Sequence, residues 1–123
     1  MSDDLVYLRD IAERLRRIRT FTSDGKERFM DSLLIQDAVI RNFEVIGEAT
    51  KKLSGEVRSR YPQIPWRRIA GFRDVLIHDY MSVVLSQVWK TIEDDLPVMA
   101  QQIDHIIAQL ETAEGNDDDP AND

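Results

Sequence analysis

The chain has 123 residues, a formal net charge of −7 and no cysteine. That length supports one hydrophobic core and excludes two, while the lack of thiols excludes disulfides and thiolate–metal sites and fits a reducing compartment. The acidic start Met1-Ser2-Asp3-Asp4 lacks the order of a secretory leader, and no apolar run reaches the roughly 20 residues of a bilayer span, so no membrane association is expected and a cytoplasmic location is.

Taken in order, the long segments all have helical periodicity. Leu5, Leu8, Ile11, Leu15 and Ile18 recur at three- and four-residue steps behind Ser2-Asp3-Asp4, which can cap the start. Thr22-Ser23-Asp24-Gly25 is turn chemistry, with Asp24 the expected next N-cap. From about Lys26 to Leu53 a second helix is expected, with Leu34, Ala38, Val45 and Ala49 on one stripe and Leu33, Ile40 and Phe43 on another. A helix apolar on two sides lies between a core and something else. Ser54-Gly55 breaks the pattern, Tyr61 to Trp66 is an irregular Pro-containing connection, and Pro65 opens a helix holding Trp66, Ile69, Ala70 and Leu76. The last stripe, from Leu85 through Val88, Ile92, Leu96, Ile103 and Ile106 to Leu110, stays in phase across Pro97. This predicts a kink or a stacked pair, not a reversal. The expectation is an all-α antiparallel bundle of four to five helices over residues 1–110, followed by an acidic disordered tail over 111–123.

Charge is unevenly spread. Between Arg9 and Arg73 there are 15 basic and nine acidic residues, whereas from Asp74 onward there are one basic and twelve acidic residues. A basic first half keeps a nucleic-acid partner admissible despite the net charge.

The stretch Arg73-Asp74-Val75-Leu76-Ile77-His78-Asp79-Tyr80 gathers a permanent cation, a side chain that titrates near neutral pH and a phenol. A guanidinium matches a phosphate and an imidazole moves protons, a pairing that points to phosphodiester chemistry. Cleavage of RNA by its own 2′-hydroxyl needs a base for that proton, an acid for the leaving oxygen and a cation at the phosphate. Arg73 suits the last role. His78 suits either proton role but not both at once, and Tyr80 is a hydrogen-bond donor or a nucleophile. On an unbroken helix Arg73 and Tyr80 share a face, while His78 lies about 140° from Arg73. Convergence therefore needs a helix end near Ile77–Asp79, with Ser82 opening the next helix. A symmetric homodimer could place two such strips in one cleft.

Plainer readings stand beside this one. Arg14, Arg16, Arg17 and Arg19 resemble an RNA strip, but Asp10–Arg14 and Glu13–Arg17 are i,i+4 pairs, so a solvated face is the stronger reading. Trp66 and Trp89 fit core packing better than base stacking, and His105 fits the surface. No His, Asp and Glu grouping suggests a metal, and no glycine-rich phosphate loop or cofactor motif is present.

The strip belongs to a longer pattern: IGEATKKL at 46–53, YPQIPWRRIAGFRDVLIHDY at 61–80, VW at 88–89 and DDLP at 94–97. In order and spacing this resembles the HepT family of HEPN-domain toxins over about residues 30–100, whose signature is arginine, four residues, histidine, one residue, tyrosine. One departure is Val84, where the family pattern has aspartate ahead of the last long helix; Ser82 could cap in its place. The resemblance implies a helical homodimer that acts as a metal-independent ribonuclease and forms the toxin half of a toxin–antitoxin pair. Arg73 and His78 would be catalytic. An MntA-like nucleotidyltransferase antitoxin would silence the protein by transferring AMP to Tyr80. Asp74, Asp79 and Glu48 are candidate supporting carboxylates. The alternative is a non-enzymatic dimer module that binds a nucleotide or the nucleotidyltransferase; a third reading is a structural dimer in which Arg73 and Asp74 only form ion pairs.

Overall fold

The computed structural model describes residues 2–78 and 84–117, and every regular element in them is helical. Helix α1 spans Ser2–Phe21 and buries the predicted stripe of Leu5, Leu8, Ile11, Leu15 and Ile18. It packs against α3, Leu33–Lys52, and the pair is antiparallel: Tyr7 meets Lys52, and Arg14 Nη1 donates to Asn42 Oδ1 at 3.4 Å. Asp4 does more than favour the start of α1. It is buried and accepts from both the backbone N–H and the Oγ of Ser54, each at 2.8 Å. Ser54 Oγ in turn accepts from the Val57 N–H at 3.2 Å and caps a short helix α4, Gly55–Arg60. One carboxylate thereby ties the start of α1 to the chain beyond α3.

Two sequence expectations change at the first turn. The residue at the N-cap of α2, Lys26–Asp31, is Gly25 and not Asp24; its φ of 95° lies in the left-handed region open to glycine. The expected single helix from Lys26 to Leu53 is split at Ser32, whose backbone is extended and whose Oγ accepts from the Ile35 N–H at 3.1 Å. Gln36 seals this corner by donating to the carbonyls of Phe29 and Met30 at 2.9 and 3.0 Å, satisfying groups that a helix end leaves open. The break also alters the faces of α3. Val39, Ile40, Phe43, Ile46 and Ala49 are buried, whereas Leu33 and Leu34 are 76% and 80% exposed.

Helix α5, Trp66–His78, begins directly after Pro65, as the sequence predicts, and the Ile69 N–H closes its first turn on the Pro65 carbonyl. Trp66 is buried and donates from Nε1 to the Tyr61 carbonyl at 3.0 Å, while the Tyr61 hydroxyl donates to Gln109 Oε1 at 2.5 Å. The last run comprises α6, Leu85–Lys90, a π-helical turn at Thr91–Asp95, and α7, Leu96–Asp117. The chain does not reverse at Pro97. Lys90, Thr91 and Leu96 all keep α-type dihedrals, and the Leu96 N–H reaches the Thr91 carbonyl five residues back. A π turn adds one residue to the hydrogen-bonded ring just where proline lacks a donor and crowds the preceding turn. Val84 stands at the N-cap of α6 without a side-chain cap, and Ser82 lies outside the described residues. Helix α7 continues through Asp117, beyond residue 111, where the acidic tail is expected to begin. Buried Leu110 and a 3.0 Å ion pair from Arg9 to Glu111 hold that extension against α1.

The architecture is an all-α bundle with α1 at its centre, between α3 and α7, and with α5 on the far side of α3. Phe29 from α2 meets Trp89 from α6 at 5.5 Å between ring centroids and closes the end near the Ser32 corner. None of the described helices is long and apolar enough to cross a membrane. Leu8 is fully buried, so Leu8→Ala should cost about 2–5 kcal/mol in urea denaturation, whereas Val6→Ala on the exposed face of α1 should shift stability by less than about 0.5 kcal/mol.

Candidate active site

The site is organised by the crossing of α3 and α5. Gly47 is buried in the middle of α3, and a Cβ built there would lie 2.1 Å from Arg73 Cβ and 3.0 Å from its Cγ. Only a residue without a side chain admits Arg73 at this point. One turn away, Phe43 and Phe72 meet edge to face, 5.3 Å apart at 78°, and fix the same crossing.

Arg73 is laid across α3, and Nη1 donates to Asp74 Oδ1 at 3.1 Å. Lys51 Nζ, from the last turn of α3, donates to that same oxygen at 2.6 Å. The hydrogen bonds from Lys51 and then Arg73 hold the Asp74 carboxyl below the usual carboxylate range, so it remains charged across the neutral region. The Nε of Arg73 is buried and has no hydrogen-bond partner among the described residues. An unsatisfied buried donor is costly.

His78 is exposed at the last described position of α5. Because Arg73 and His78 sit on one helix, their side chains leave it about 140° apart. Arg73 lies against Gly47 of α3, and His78 is exposed on the same helix. Asp79 and Tyr80 lie outside the described residues. Glu48 is exposed on α3 and pairs with Lys52 at 3.8 Å, and Asp74 is in direct contact with Arg73. Among the described residues no group of three His, Asp or Glu side chains is arranged to hold a metal.

Two residues of this cluster escaped the sequence reading as site residues, Gly47 and Lys51. The available signal was a glycine inside an otherwise continuous helical pattern, which costs helix stability and marks a close approach of another element. Lys51 follows it by one turn and so lies on the same face. The arginines of α1 behave as expected of a solvated face: Asp10–Arg14 and Glu13–Arg17 pair at 3.3 and 3.1 Å, and Glu13 also takes Arg16 at 2.6 Å. Hydrogen bonds from Arg16 and Arg17 hold Glu13 down to about 2. Trp89 packs on Phe29 and donates to Glu93, and His105 is exposed. Beside Phe72, a groove of about 580 Å³ opens between α3, α5, the π turn and α7, lined by Phe43, Ile69, Met99 and, at its polar edge, Arg68 and Asp95.

A helical bundle that presents an arginine–carboxylate–lysine cluster, with an exposed histidine on the same helix as the arginine, has the ingredients of a phosphodiester-directed protein. A family model described as HepT-like, "Ribonuclease HepT-like", matches residues 11–106, and the chain belongs to that family. It is 41% identical over 110 residues to "Putative RNase MJ0125" of Methanocaldococcus jannaschii, covering 89% of this chain and 95% of that one. It is 44% identical over 92 residues to "Probable ribonuclease HepT" of Thermococcus cleftensis, covering 74% and 84% respectively. A third relative, "Gamma-glutamylcyclotransferase and putative RNase MJ0434" of M. jannaschii, is 39% identical over 115 residues. The chain spans 93% of its own length in that match but only about half, 52%, of the relative's. No solved structure matches the chain. At the level of the family, a nuclease role is supported.

Gly47→Ala drives a methyl group into Arg73 Cβ and Cα, which no rotamer change relieves. It should lower stability by about 1–3 kcal/mol in thermal denaturation. Gly55→Ala, where a Cβ meets open space, should leave the melting temperature unchanged or raised.

Proposed function

We propose that the protein is a metal-independent endoribonuclease and the toxin of a toxin–antitoxin pair, acting as a homodimer and silenced by AMP transfer to Tyr80. The observation that carries this reading is the Arg73 guanidinium, held against α3 and converging with Lys51 on one carboxylate oxygen, on the same short helix as an exposed His78. In the reaction, the 2′-oxygen of RNA attacks the adjacent phosphorus and the 5′-oxygen leaves, giving a 2′,3′-cyclic phosphate. One proton must leave the 2′-hydroxyl and one must reach the 5′-oxygen. Arg73 stabilises the charge on the crowded phosphate and His78 carries out one of the transfers.

One His78 per chain can fill only one of the two proton roles at a time. A second copy supplies the other imidazole and can set it opposite the first chain's arginine. The exposed apolar side chains of Leu33 and Leu34, together with Val75 and Ile77 on the outer side of α5, support an interface that takes in both helices.

Purified, unmodified protein should cleave single-stranded RNA in EDTA and scatter light as twice the chain mass. His78→Ala should lower the cleavage rate by about 10²–10⁴-fold, the usual worth of a general acid or base. Arg73→Lys should also be poor, because the bidentate fork is lost. Parental activity in His78→Ala would assign the cleavage to another site and favour the non-enzymatic dimer module.

AMP attached to Tyr80 would set a phosphate near Arg73 and repel incoming RNA without refolding the chain. Incubation with a cognate nucleotidyltransferase and ATP should add one AMP, located on Tyr80 by peptide mass spectrometry, with helicity retained and cleavage lost. Tyr80→Phe should escape that silencing. Modification found only on Tyr7 or Tyr61 would exclude the switch.

A further inference from the structure

The cation cluster beside the catalytic arginine contains a residue that the signature motif omits. Lys51 Nζ and Arg73 Nη1 come from different helices and converge on one oxygen, Asp74 Oδ1, at 2.6 and 3.1 Å. The Lys51 and Asp74 side chains are 42% and 46% exposed, so this point is open to solvent and to a long ligand. Two cations bracketing one anionic oxygen are complementary to a non-bridging phosphate oxygen as much as to a carboxylate. The cluster also carries one more positive than negative charge, because one carboxylate answers two cations. The ion pair is solvent-exposed, the class that contributes little to stability and exchanges readily.

Resting on the ribonuclease reading above, we propose that Lys51 is a substrate-binding residue of the same site. With Arg73 it holds one non-bridging oxygen of an RNA phosphodiester, and Asp74 keeps that oxygen's place while no RNA is bound. Gly47 makes this arrangement available: the close approach it permits brings Arg73 up to α3 one turn before Lys51. RNA entering the site exchanges Asp74 for a phosphate, so Asp74 is an internal competitor as well as a holder of the empty site. The alternative is that Lys51 and Asp74 merely staple α3 to α5, and the two accounts differ in what happens when the carboxylate is neutralised.

The test measures binding of a labelled single-stranded 2′-O-methyl RNA, which lacks the attacking hydroxyl, by fluorescence anisotropy across a salt series. Lys51→Met should weaken binding about tenfold at low salt and reduce the slope of log affinity against log salt by about 0.7, the share of one phosphate contact on a single strand. Lys51→Arg should retain most of the affinity. Lys90→Met on α6 removes the same charge away from the site and should leave the slope unchanged. Asp74→Asn should bind several-fold more tightly than the parent, because the competing charge is gone. On cleavable RNA, Lys51→Met should raise KM more than it lowers kcat.

Unchanged affinity and slope in Lys51→Met would overturn the proposal, as would Asp74→Asn binding no more tightly than the parent or a parent that binds no RNA. Circular dichroism melts of each variant separate these outcomes from misfolding. If the parent binds the 2′-O-methyl strand but never cuts ordinary RNA, the ribonuclease reading falls while the phosphate site stands. If it cuts RNA and Lys51→Met binds normally, only the role of Lys51 falls.

Discussion

The contact between Gly47 and Arg73 is the constraint on which the rest of this site depends. A helix interior disfavours glycine, so placing one there is sensible only when another backbone must come closer than any side chain allows. Here what approaches is the stem of an arginine on α5. The consequence is positional: the guanidinium is set by the spacing of two helix axes and does not depend on a chain of hydrogen bonds. Asp74 and Lys51 add charge complementarity to a crossing that packing has already fixed, and Phe43 against Phe72 prevents α5 from rolling on α3. A charged group held in this way can keep an unsatisfied donor without the surrounding backbone relaxing to cover it.

That rigidity has a foundation in the antiparallel pairing of α1 with α3. The fully buried stripe of α1 fills the space between α3 and α7, and the Asp4–Ser54 hydrogen bonds fix the register at the end of α3 where Lys51 projects. The apolar core and the polar site therefore meet at the same helix end. Loss of register between α1 and α3 would displace Lys51 before it reached Arg73.

Much of the bundle was legible because burial of one face imposes a period on the sequence. Leu5 through Ile18 and Val88 through Leu110 could be placed on core-facing stripes from spacing alone. What periodicity misses is a short break whose two sides are both apolar. Ser32 interrupts a continuous helical pattern, and only its capping hydrogen bond and the reach of Gln36 reveal the corner. Asp24 looked like a cap because aspartate so often is one, yet the backbone needed the positive φ that Gly25 supplies. At the site, Arg73 and His78 were legible as chemistry, but their relation was not. The sequence left open whether a helix end near Ile77–Asp79 would unite them, and Asp79 lies outside the described residues. Lys51 remained hidden because its partner lies on another helix, 23 residues further along the chain. A one-dimensional pattern can show which face a residue occupies, but not what crosses that face.

The π turn at Thr91–Asp95 gives the last long helical run two independent rotational settings. Without it, turning α6 to seat Trp89 on Phe29 would turn α7 by the same angle and swing Ile103 and Ile106 off the core. The extra residue acts as a phase shifter, letting the capping end of the bundle and its central layer each choose their own azimuth. Winding the same residues as regular α-helix, with none removed, would turn one of the two faces by roughly 100° relative to the other. The chain would stay helical throughout and yet could not satisfy both halves of its core at once. The winding of this segment is therefore under tighter geometric control than the exposure of its side chains suggests.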